Sequence, residues 1–105
     1  MSFCLILTTT PGMDEAKNIA AHLVNNKLAA CVNIIPQLTS IYEWKGAVQE
    51  DSEYLLLIKT REDYFEAVKD AIIKLHPYEL PEVISVPIKQ GYDKYLNWII
   101  EETQR

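Results

Sequence analysis

Residues 75–83 read LHPYELPEV and hold one of the two histidines of the chain, two prolines, a tyrosine and two glutamates. The imidazole of His76 is a ligand type suited to borderline cations such as Cu2+ or Zn2+. A histidine in the last turn of a helix also interacts well with the negative end of the helix dipole. Both readings of His76 stand. Glu79 and Glu82 follow at three-residue steps, which on a helix places them on one face with His76. Pro77 and Pro81 exclude a helix there, so the spacing does not imply convergence on one ion, and Glu79 is expected in solvent. Cys31, inside AACVNII, is either a soft ligand as thiolate or a small buried hydrophobe. His22, between Ala21 and Leu23 and off the apolar stripe of its helix, reads as a surface residue. No stretch has the spacing of a nucleophilic triad, a P-loop or a Gly-x-Gly-x-x-Gly loop. A Cys31–His76 pair lacks an accompanying oxyanion loop, so no enzyme is expected.

These residues need elements to position them. FCLILTT is a continuous apolar run, as in a strand buried on both faces. Thr10-Pro11 reads as the start of a helix, with the threonine as N-cap. Its apolar stripe is Ala16, Ile19, Ala20, Leu23 and Val24, and Asn25-Asn26 ends it. AACVNII is strand-like, and Pro36 implies a bulge or an edge position. LTSIYEW alternates, with Leu38, Ser40, Tyr42 and Trp44 on one face. The chain turns at Lys45-Gly46 and returns as SEYLLLIKT, forming a long β-hairpin. Thr60 reads as the cap of a second helix with Phe65, Val68, Ile72 and Leu75 inward. Pro77 ends that helix at His76. VISVPI is a fourth strand, with Pro87 arguing for an edge. A last helix begins near Tyr92, with Tyr95, Trp98, Ile99 and Glu102 on one stripe. The order predicts an α+β, ferredoxin-like β-α-β-β-α-β sandwich with an extended central hairpin and a C-terminal helix.

At 105 residues the chain makes one domain, residues 1–105, with a core that needs no staples. The formal net charge is -5, and ten basic residues are scattered with no cluster longer than Lys59-Thr60-Arg61. Nucleic-acid binding requires a concentrated basic patch, so it is not expected. The amino terminus MSFCLILTTTPG has no basic start and only a short apolar run, unlike a secretory signal. No run approaches the ~20 apolar residues of a membrane span. Two cysteines are too few for a disulfide framework, and Cys4 and Cys31 are expected as reduced thiols of a cytoplasmic protein.

KLAACVNI, SIYEWKG, LLLIKT, HPYELPEVI and YLNWI, in this order and spacing, resemble the CutA family of divalent-cation tolerance proteins over essentially the whole chain. The resemblance implies a ferredoxin-like subunit in a tight homotrimer, a cytoplasmic setting in bacteria, and a role in tolerance of copper and other divalent metals. It implies no enzymatic reaction and no obligatory cofactor, with Cu2+ or another divalent cation as a weakly bound ligand. His76 is then the metal candidate. Where copper ligation has been proposed in the family, a cysteine after the first strand and a second histidine also take part. Thr8 and Leu75 stand at those positions here. Glu82 matches the family's Pro-Glu motif and Lys59 its IKT. With Cys31, Tyr42, Trp44 and Tyr78 they are expected to line a subunit-interface cleft for a small anionic or metal-bound ligand. The opposing reading for Lys59 is an edge-strand side chain reaching to water. The long hairpin leaves strand edges unpaired, and Trp44 and Trp98 are expected at or near subunit contacts. The alternative function is a PII-like signalling trimer, which requires a long mobile loop between the central strands where this chain has a short turn.

Overall fold

The aliphatic and β-branched residues of FCLILTTT form a central strand, β1, at Phe3–Thr10. A computed structural model describes all 105 residues. It continues through α1 (Met13–Asn25), β2 (Cys31–Trp44), β3 (Ala47–Arg61), a single 3-10 turn (Glu62–Tyr64), α2 (Phe65–Leu75), β4 (Ile84–Ile88) and α3 (Asp93–Glu102). The sheet order is β2-β3-β1-β4, with every neighbouring pair antiparallel. This is the expected α+β, ferredoxin-like arrangement with one helix added.

Successive β1 residues point to opposite faces. Cys4, Ile6, Thr8 and Thr10 are fully buried, whereas Leu5, Leu7 and Thr9 are only half-buried. The expected burial on both faces therefore holds for one. That face meets α1 and α2, where Ile6, Leu56 and Ile58 pack against Ala16, Ile19, Leu23, Val68 and Ile72. Val24, expected on the inner stripe of α1, is exposed instead. On the opposite face α3 covers the end near Phe3, where Phe3 packs with Ala30 and with Ile99. The inward side of α3 is Leu96, Ile99 and Ile100, while Tyr95 and Trp98 stack on each other outside it with ring centroids 5.5 Å apart.

Both threonines read as caps have other work. Thr10 ends β1, and its hydroxyl donates to the Gly12 carbonyl at 2.9 Å, so Gly12 occupies the N-cap position of α1. The Thr60 hydroxyl donates to the Leu28 carbonyl at 2.6 Å, tying β3 to the entry of β2, and the 3-10 turn intervenes before α2. Pro36 sits at a bulge in β2, where register shifts between Ile35 and Leu38. Pro87 lies in the edge strand β4, where a missing N–H costs no ladder bond.

β2 and β3 run to the hairpin tip, where Trp44 pairs with Ala47. Lys45 and Gly46 have φ of 51° and 83°, the paired positive values of a two-residue type I′ turn. The mobile loop that PII-like control requires has no room there. The hairpin lengthens the subunit to 45 × 25 × 22 Å and the radius of gyration to 14.2 Å, against about 13 Å for a compact domain of this length.

Candidate functional site

α2 ends at Leu75, and His76 takes an extended conformation with φ -79° and ψ 137° as its C-cap, the geometry that a following proline imposes. The ring does not project into open space. Nδ1 accepts the Tyr78 backbone N–H at 3.1 Å, and Nε2 lies 2.6 Å from the Thr9 carbonyl. A nitrogen that accepts is unprotonated, so Nε2 carries the hydrogen and donates it to Thr9. His76 is 8 % exposed, and its ring centroid lies 4.7 Å from that of Tyr78. Both ring nitrogens are engaged. The histidine fastens the 76–83 loop to the end of β1, and in this state it offers no lone pair to a cation.

Tyr78 continues the chain of contacts. Its hydroxyl donates to Glu53 Oε2 at 2.7 Å. Burial holds the phenol above its ordinary range, and the Glu53 carboxylate reinforces the effect. Glu53, on β3, is itself 4 % exposed. It was absent from the residues singled out by sequence, although it shares the period of Leu55, Leu57 and Lys59. A carboxylate in phase with that run was the available signal.

Between the outer half of the hairpin and the 76–83 loop lies a cavity of about 590 Å³. Tyr42, Trp44, Glu53, Tyr78, Glu79 and Glu82 contribute to its wall. Four of the expected cleft residues, Tyr42, Trp44, Tyr78 and Glu82, therefore meet. His76 sits behind Tyr78 and not in the wall. The Tyr42 hydroxyl bonds to Asp51 across the hairpin, which raises its phenol pKa. At the mouth, the Lys45 ammonium is 5.5 Å from the centroid of the Trp44 ring and 3.8 Å from Glu79. Glu79, expected in solvent, does lie at this exposed rim.

Cys31 and Lys59 are elsewhere. They pair across β2 and β3, with the Lys59 ammonium 4.0 Å from the Cys31 sulfur and bonded to the Asn33 side chain. Cross-strand register makes them neighbours on the open sheet face, away from the cavity wall. Cys31 and His76 consequently have separate partners and form no nucleophile–base pair. Thr8 is fully buried on the helix-covered face, and its hydroxyl has no hydrogen-bond partner. No group of three or more His, Cys, Asp or Glu side chains lies close enough to hold a metal ion. No helix is long and apolar enough to cross a membrane.

Residues 4–102 match the family model described as "CutA1 divalent ion tolerance protein". The chain is 48% identical over 99 residues to the divalent-cation tolerance protein CutA of Thermus thermophilus, covering 94% of this chain and 96% of that one. It is 56% identical over 91 residues to a CutA homolog of Xenopus laevis, covering 87% of this chain and 60% of the frog protein. Against the human CutA protein it is 50% identical over 96 residues, covering 91% of this chain and 54% of that one. The chain thus spans just over half the length of these animal relatives. Among solved structures, the Thermus thermophilus protein superposes with a TM-score of 0.94 at 47% identity, covering 97% and 99% of the two chains. CutA1 of Oryza sativa superposes at 0.96 and 42% identity, covering 99% and 95%.

Proposed function

We propose that this chain, which belongs to the CutA1 divalent ion tolerance family, acts in the response to divalent metals as a non-enzymatic homotrimer of the cytoplasm. One observation carries the assembly. Leu5, Leu7, Leu55 and Leu57 share the sheet face that α1 and α2 leave open, and Ile35, Ile84 and Val86 extend it to the two outer strands, so that it spans all four. None of the seven is buried. Contiguous apolar surface of this kind marks association, and the long edge strand β2 adds unpaired backbone that a neighbouring subunit can pair. Sedimentation equilibrium at micromolar concentration is expected to return the mass of three chains. A single-chain mass would reject the assembly.

Metal binding enters as a weak interaction. Relatives of this chain are named for divalent-cation tolerance, and His76 is the one residue remaining of the ligand set that the family resemblance implied. A cation at Nδ1 has to displace the Tyr78 N–H, and one at Nε2 has to displace both a proton and the Thr9 carbonyl. Thr8 and Leu75 supply no further ligand. Calorimetric titration with Cu2+ is expected to show weak binding that His76→Ala abolishes. Undiminished binding in the variant would take His76 out of the metal reading.

A further inference from the structure

Glu53 presents a buried acidic side chain with no cation beside it. The residue is 4 % exposed, and its carboxylate receives one hydrogen bond within the chain, at Oε2 from the neutral Tyr78 hydroxyl. None of the four salt bridges of the chain includes it. Buried carboxylates are ordinarily paired or fully hydrogen-bonded, since desolvating an uncompensated charge costs several kcal/mol. Glu53 nevertheless lines an open cavity in whose wall no Lys, Arg or His takes part. The missing positive charge has a place to arrive.

The rest of the wall narrows the chemistry. Glu79 and Glu82 add negative charge, which opposes the small anionic ligand expected from sequence once Lys59 is found outside the cavity. The carboxylates are too dispersed to close on a single metal ion. Trp44, Tyr42 and Tyr78 provide aromatic surface beside them. Aromatic faces attract organic cations through the ring quadrupole, and alkyl stems lie along apolar walls while their charged heads seek polar partners. The chain displays the motif at the mouth of the cavity, where the Lys45 ammonium stands over Trp44 and beside Glu79.

We propose that this cleft binds an alkylammonium or guanidinium group, with its charge against Glu53 and its alkyl stem against Trp44 and Tyr42. The proposal rests on reading the cleft as a ligand site, and its free-amine arm does not require the trimer. The group comes either from a free amine or from a lysine or arginine of a second copy of this chain.

The test uses agmatine, which carries both cationic heads, on the full chain with Trp98→Phe, so that Trp44 is the sole tryptophan reporter. A free-amine site gives a saturable change in Trp44 fluorescence with agmatine, and none with butyrate or with Mg2+ at equal charge. Glu53→Gln keeps an acceptor for Tyr78 and removes the charge. It is expected to weaken agmatine by at least about tenfold, the scale of one charged hydrogen bond. Binding by calorimetry to Trp44→Leu, whose carboxylate is intact, is expected to weaken about two- to fivefold. If a second copy supplies the cation, agmatine instead lowers the sedimenting mass, and Glu53→Gln does the same without ligand. The proposal is overturned if Glu53→Gln changes neither agmatine binding nor mass, or if Mg2+ competes as well as agmatine does.

Discussion

The two faces of the sheet carry similar aliphatic residues and meet opposite surroundings. Toward α1 and α2, Ile6, Leu56 and Ile58 are completely buried. One residue away along the same strands, Leu5, Leu55 and Leu57 are half-exposed, and Ile84 at the edge is 50 % exposed. The difference lies in cover, not in composition. Two helices close the first face, and α3 reaches only the Phe3 end of the second. The first face belongs to folding, and under the proposed assembly the second is where chains meet.

Adjacent residues on β3 break this comparison most sharply. Ile58→Ala leaves a void under both helices and is expected to cost about 2–5 kcal/mol in denaturant unfolding, at every protein concentration. Leu57→Lys faces the other way. It is expected to cost about 1.5–3 kcal/mol per chain where the wild type is assembled, and nothing comparable under dilution that separates the subunits. A loss of similar size at all concentrations would place Leu57 in the fold of the single chain.

The two thiols sharpen the contrast. Burial, reinforced by Glu62 and Asp63, pushes Cys4 up to about 11. Because its folded value is raised, the stability it contributes is fully present below the unfolded thiol value of about 8.5 and is lost as pH rises toward 11. Cys4 is expected to resist a disulfide reagent at pH 8 until the chain unfolds. Cys31, half-buried on the open face, is expected to react in the folded subunit and to slow as protein concentration drives assembly. Equal rates for both thiols in the native protein would contradict the assignment of faces. The smallest effect belongs to Thr8, whose buried hydroxyl is unpartnered. Thr8→Val keeps the shape and removes the unmet polar group, for an expected gain of about 1 kcal/mol in chemical denaturation.

Much of this architecture was legible because it is local. The two-residue period of LTSIYEW and SEYLLLIKT gave the hairpin its faces, and Pro36 and Pro87 marked a bulge and an edge for want of an N–H. Pro77 fixed the end of α2 at His76. The contacts that local sequence rules missed include ones whose partners lie far along the chain. Thr60 bonds a carbonyl 32 positions away, and His76 bonds one 67 positions away, so neither a cap preference nor a helix-end rule could foresee them. Four of the expected cleft residues line one cavity, while Lys59 and Cys31 pair with each other on the same open face toward the other end of β3 from Glu53. Glu53 was overlooked as one more charge on a hairpin, although its phase with Leu55 and Leu57 set it apart.

The claim that the uncovered sheet face is an interface is tested most directly by thermal unfolding over a hundredfold range of protein concentration. Subunits that bind only the folded state raise its apparent stability by mass action. The melting midpoint is therefore expected to climb with concentration in the wild type and to lose that climb in Leu57→Lys. A wild-type midpoint that stays constant, with a single-chain mass at the same concentrations, would contradict the account.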